Sequence, residues 1–216
     1  MNTARVYSKK EEIFNAISHG VGSLTAVVGT TIMITISALY YNVVAVVSSA
    51  IYGFSMIAMF TMSTLYHAIP FPKAKRVLQV LDHDSIYLLI AGTYTPITLI
   101  ALMDSFRGTF IFVVVWIAAI IGVILNAINM NKFKKASLIL YIIMGWAVVW
   151  DFAAVSHALG SGGFALLLAG GLCYTIGVIF YKMKKVSFMH GIWHLFVFSG
   201  CVLHYLCILL HVLPQA

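Results

Sequence analysis

His190 and His194 stand four residues apart at the head of an apolar segment that runs to Leu213, just after the basic run Lys182-Met183-Lys184-Lys185. On a helix, residues four apart share a face, one turn from each other. Two imidazoles in that relation can bind one metal ion, and an imidazole at the rim of a bilayer is costly to leave unpaired. A zinc protease built on this spacing needs a glutamate beside the first histidine. Gly191 occupies that place, so the protease reading fails.

Other polar residues could complete a site. His67 would bring a third imidazole to His190 and His194, and Asp82 would hold or deprotonate a water in the fourth position. Ser63 lies one turn before His67 on the same face and could hydrogen-bond a ligand or that water. Zinc is the ion expected, because no redox ligand pattern accompanies the histidines. The same residues also suit a polar network that joins helix ends, and spacing alone does not separate the two readings. His157, His204 and His211 read as packing residues, and His83 and Asp84 as groups at the lipid headgroup level.

The elements that must position these groups follow from composition. The 216 residues are 62% hydrophobic and 9% charged, where a soluble domain carries about 25% charged residues. Continuous apolar runs of roughly 20 residues succeed one another, enough for each to cross a bilayer as a helix. They do not alternate, which argues against a barrel. We expect an all-helical integral membrane protein of the cell membrane, one domain over 1–216. Seven spans are expected, roughly 14–39, 43–69, 79–103, 108–128, 137–157, 163–181 and 188–212.

The net charge of +7 does not indicate nucleic acid. Of the 13 Lys and Arg residues, all but Arg107 fall before the first span or between spans two and three, four and five, or six and seven. Those connections should be cytoplasmic, with the N-terminus inside and the C-terminus outside. The partners expected are membrane lipids. No cleavable signal peptide is expected, because the N-terminus is polar through Asn15. Cys173, Cys201 and Cys207 lie in apolar runs with no paired spacing, and read as small buried hydrophobes. Glu11 and Glu12 read as acids that suit the start of a helix. Pro96 is expected to kink its span. The small residues Gly170, Gly171 and Gly177 are expected to mark close helix packing.

On this topology His19, His67, Asp82, His190 and His194 all fall within about two turns of the cytoplasmic ends of their spans, at 1.5 Å rise per residue. Residues far apart in sequence thereby share one depth.

The motifs Glu12-x-x-Asn15-x-x-Ser18-His19-Gly20, Ser63-x-x-Tyr66-His67, Leu81-Asp82-His83, Ala91-Gly92-Thr93-Tyr94-Thr95-Pro96 and His190-x-x-Trp193-His194 resemble the haemolysin III family. That family belongs with the progestin and adipoQ receptors and, more distantly, the alkaline ceramidases. The resemblance covers nearly the whole chain in order. It implies a seven-helix bundle with zinc in the cytoplasmic leaflet, held by His67, His190 and His194, with Asp82 near a zinc-bound water and Ser63 close by. Its receptor and ceramidase members imply zinc-dependent hydrolysis of a lipid amide. The alternative is a membrane-homeostasis or sensor protein in which zinc is structural. A pore-forming cytolysin, which the family name implies, is the third reading and suits so hydrophobic a chain least.

Overall fold

A computed structural model describes residues 7–216. Arg5, one of the expected N-terminal positive charges, lies outside them. The described chain is helical, with short connections. Its α-helices are α1 (Lys9–Tyr40), α2 (Val43–Ala68), α3 (Pro72–Pro96), α4 (Phe106–Gly145), α5 (Phe152–Lys182) and α6 (Met189–Cys207). A π-helical stretch, Ile97–Ala101, carries α3 past Pro96, and a 3-10 turn, Ala147–Asp151, joins α4 to α5. The expected disturbance at Pro96 thus takes the form of wider helical turns. Past α6 the chain continues as Ile208–Val212 and Leu213–Gln215.

The expectation of seven spanning helices is corrected. Five helical segments are long and apolar enough to cross a membrane: Lys9–Tyr40, Val43–Ala68, Pro72–Ala101, Phe106–Lys182 and Met189–Gln215. The spans expected at 108–128, 137–157 and 163–181 all lie within the fourth of these. In place of the loops expected between them, helical backbone reaches each of the two places from both sides with no intervening loop. It is interrupted at single residues, Asn129 (φ −163°, ψ 86°) and Gly160 (φ 63°, ψ 177°). Only glycine takes the Gly160 conformation without steric cost. The chain bends sharply at both. Ser137 Oγ donates to Asn126 Oδ1 at 2.7 Å, whereas eleven residues of straight helix would span about 16 Å. Likewise the rings of Phe152 and Phe164 meet at 4.6 Å.

Ser8 starts α1 with a capping box: Glu11 N–H donates to Ser8 Oγ at 3.3 Å and Ser8 N–H to Glu11 Oε2 at 2.9 Å, satisfying two otherwise unpaired donors. Asn42 caps α2 through Ala45 N–H at 3.0 Å. Pro72 opens α3, where the missing N–H costs nothing.

On α1 the buried residues are Glu11, Asn15, His19, Gly22, Ala26, Thr30, Met33 and Ser37, a stripe at steps of three and four. The opposite face exposes Ile17, Val21, Leu24 and Val28. The polar side chains therefore point inward and the large aliphatic ones outward. This suits lipid as the solvent, because helix association there rests on small residues and hydrogen bonds. Ser23 Oγ meets Thr61 Oγ1 at 2.7 Å and Ser37 Oγ meets Ser49 Oγ at 2.9 Å, joining α1 to α2. A Cβ on Gly53 would lie 2.2 Å from Thr30 Cγ2, which shows how closely the two backbones approach. The packing expected for the later glycines is met at two of three: a Cβ would lie 2.2 Å from the His204 ring at Gly170 and 2.7 Å from Trp193 at Gly177.

The two ends of the bundle differ in charge. The side chains of Lys134 and Lys184 are neighbours, so two of the basic clusters meet at one end. At the other, Arg107 Nη1 lies 3.3 Å from Asp151 Oδ1. Asp84 departs from the expected headgroup position. It is buried and accepts a 2.9 Å hydrogen bond from Asn126 Nδ2, so it ties α3 to α4.

Candidate metal centre

His67 sits in the last turn of α2, just before the chain turns at Ile69 and Pro70. His190 and His194 occupy the first turns of α6. The start of α6 is fixed by α1. Phe188 precedes it in the left-handed region (φ 62°), a conformation that costs a non-glycine residue on the order of 1–2 kcal/mol. Glu11 Oε1 holds that turn by accepting from Phe188 N–H at 3.0 Å. The Phe14 ring meets Phe188 edge-on at 5.9 Å and fills the space above Gly191, where a Cβ would lie 2.3 Å from Phe14 Cδ1. The helix-start acid Glu11 thus helps to place His190.

The three histidines converge. His190 Nε2 lies 3.2 Å from His67 Nε2 and 3.1 Å from His194 Nε2, and one nitrogen from each ring lies within 4.8 Å of the others. His67 and His194 are buried. Their remaining nitrogens are taken. His67 Nδ1–H donates to Glu12 Oε2 at 2.5 Å. Glu12 Oε1 in turn accepts from Lys75 Nζ at 2.7 Å, and Lys75 also donates to the Tyr66 carbonyl. His194 Nδ1–H faces Ser18 Oγ at 3.1 Å and the Asn15 carbonyl at 3.3 Å.

These partners set the tautomers. With the proton on Nδ1 of His67 and of His194, both Nε2 atoms are lone-pair acceptors. His190 Nε2 carries at most one proton and can satisfy only one of them. Hydrogen bonding alone therefore leaves at least one Nε2 acceptor without a donor in a buried site. A cation at the common point removes the conflict, so the three residues could hold a metal ion. Outer partners that fix ring orientation are a normal part of such sites.

A cavity of about 140 Å³ adjoins the cluster. His190 and His194 form part of its wall, with Ser63, Asp82 and His19. The structure therefore brings all five residues expected from the sequence into one region. Three converge on a point, whereas Asp82 and Ser63 line the adjoining space without a hydrogen bond to the histidines. Asp82 Oδ2 lies 3.6 Å from His83 Nδ1. His19 stacks on His194 with centroids 3.6 Å apart. It is buried, and neither of its ring nitrogens has a partner among the described residues.

Glu12 and Lys75 are residues that the sequence reading did not assign to the site. The signal for Glu12 was present: Glu12, Asn15, Ser18 and His19 recur at helical spacing in an apolar chain. Substitution Glu12→Gln should lower metal affinity about ten- to a hundredfold, the effect of losing a carboxylate behind a ligating histidine. Competition against a chelator of known affinity measures it. Unchanged affinity would return Glu12 to the role of a helix-start acid.

Comparison with known proteins gives matches over nearly the whole chain. A family profile described as "Haemolysin-III related" matches residues 7–205. "Hemolysin-3" of Bacillus cereus is 42% identical over 207 residues, covering 96% of this chain and 94% of its own. "Hemolysin-3 homolog" of Bacillus subtilis (strain 168) is 38% identical over 209 residues, covering 95% and 96%. The human "Monocyte to macrophage differentiation factor" is 28% identical over 207 residues, covering 92% and 83%.

Proposed function

The chain belongs to the haemolysin III-related family as a multi-pass protein of the cell membrane, and from its histidine geometry we propose that it is a zinc-dependent hydrolase of lipid amides. The observation that carries this reading is the convergence of the three nitrogens beside a cavity whose wall includes two of the histidines, His190 and His194, and a carboxylate.

Zinc suits the cluster better than a metal that demands oxygen ligands. Two nitrogens bound to a tetrahedral zinc at about 2.0–2.1 Å stand about 3.3–3.4 Å apart. The distances of 3.2 and 3.1 Å in the cluster are close to that. His67, His190 and His194 would hold the ion. When bound, it would supply an acidified water and polarise a carbonyl.

The rest of the chemistry falls to this chain. Asp82 takes the proton of the attacking water as general base and returns it to the departing amine. Ser63 orients that water or the carbonyl oxygen. The cavity wall beyond the polar end includes Ile86, Leu89, Leu138, Ile142, Val178 and Val197. Such a lining takes an acyl chain and excludes water from the amide. The names of the Bacillus relatives point to haemolysis for those proteins. A pore, however, would need a polar lumen, which this lining does not provide.

Metal analysis of the purified protein should find one zinc per chain. The zinc-loaded protein should release fatty acid from at least one lipid amide in a panel of ceramides and N-acyl lipids, and a chelator should stop the release. Bound zinc with no release from any of them would remove the hydrolase reading and leave a structural ion.

A further inference from the structure

His204 lies on α6 ten residues beyond His194, about 15 Å deeper along the helix. It contributes to the wall of the main cavity and of a second, smaller one of about 30 Å³. The ring packs against Gly170, where a Cβ would lie 2.2 Å from it, and meets Tyr174 edge-on at 5.4 Å. Its Nε2 lies 3.1 Å from the Leu167 carbonyl. Its Nδ1 is buried and has no hydrogen-bond partner among the described residues.

The neighbours of the ring fix its chemistry. A carbonyl only accepts, so Nε2 carries the proton and donates to Leu167. In the neutral ring Nδ1 is then an acceptor. A buried acceptor without a donor is costly. Nearby polar groups do not supply one: Tyr94 OH donates to the Gly145 carbonyl at 3.0 Å, Trp146 Nε1 to Thr175 Oγ1 at 3.0 Å, and Tyr174 OH to Cys201 Sγ at 3.1 Å. The missing partner is a donor, and the residue opens onto a space otherwise suited to hydrocarbon.

We propose that His204 is a specificity residue that accepts a hydrogen bond from a hydroxyl carried mid-chain by the lipid in the cavity. The favoured ligand is an acyl chain with a hydroxyl on the order of 15 Å from the histidine cluster. This deepens the lipid reading above and rests on it. It does not depend on hydrolysis, because it concerns binding along the chain and not at the amide.

Oleate and ricinoleate test it, since they differ by one mid-chain hydroxyl. Their binding to the purified full-length protein in nanodiscs is measured by displacement of a fluorescent fatty acid. Ricinoleate should bind about fivefold tighter than oleate, the ratio expected of one net hydrogen bond. In His204→Phe that ratio should fall to one while oleate binding is kept. Equal affinities on the wild-type protein would overturn the proposal, whether or not the variant folds, and would leave the lipid reading standing. The same preference in His204→Phe would overturn it by placing the hydroxyl elsewhere. Binding of neither fatty acid would overturn both this proposal and the acyl-chain cavity beneath it.

Discussion

Purified His194→Ala should contain no stoichiometric zinc under conditions in which the wild-type protein retains one ion. His194 is buried, and its Nδ1 side is fixed by Ser18 and the Asn15 carbonyl, so Nε2 has little freedom except toward the cluster. Its removal leaves two imidazoles, and no other group of three or more candidate ligands among the described residues can replace it. Loss of a group behind a ligand typically costs 10- to 100-fold in affinity. Loss of the ligand itself should therefore exceed about a hundredfold. A ligand that binds only the folded state at a hundred times its dissociation constant adds about 2.7 kcal/mol, so the thermal stabilisation by zinc should disappear in the variant. His157→Ala is the control. His157 is exposed and its loss should leave zinc binding unchanged. Full zinc occupancy in His194→Ala would remove the three-histidine site.

The parts of this arrangement that were legible in sequence are those whose geometry is local. The relation of His190 to His194 follows from helical periodicity, and the charge pattern placed His67 and Asp82 at the same depth. The stripe from Glu11 to Ser37 is likewise written in steps of three and four. What was not legible depends on distant partners or on single backbone angles. Glu12 looks like any helix-start acid until α2 brings His67, 55 residues away, onto its carboxylate. Asp84 looks like a headgroup residue until the bend at Asn129 sets Asn126 and Ser137 inside the bundle. The number of separate spans failed for the same reason. An apolar run shows that a stretch suits lipid, but whether helix continues through Asn129 or Gly160 is decided by φ and ψ at those residues. A loop was expected wherever charge or glycine interrupted the apolar pattern, and at both places the helical backbone instead kinks at a single non-helical residue.

In Asp82→Asn, amide hydrolysis should fall by roughly a hundred- to ten-thousandfold, the usual contribution of a positioned general base, while zinc content stays at the wild-type level. The two halves of this expectation come from separate observations. The side chain lines the same cavity as His190 and His194, which gives it access to a reacting water. It makes no hydrogen bond to the three histidines, so the amide should not disturb their Nε2 geometry. Asparagine keeps the size of the side chain and removes its ability to take a proton. Ser63→Ala should have a smaller effect, because a hydroxyl that only orients a water can be partly replaced by another water. Glu12→Gln provides the contrast. It should weaken metal binding, and the activity lost should return at saturating zinc, whereas no zinc concentration restores Asp82→Asn. Wild-type turnover in Asp82→Asn would place the base elsewhere. Loss of zinc from that variant would make Asp82 part of the ion's support and leave the hydrolase without its proton acceptor. A site that only stabilises the fold would respond to both variants through stability alone, so the division of metal content from turnover is what separates a catalytic centre from a structural one.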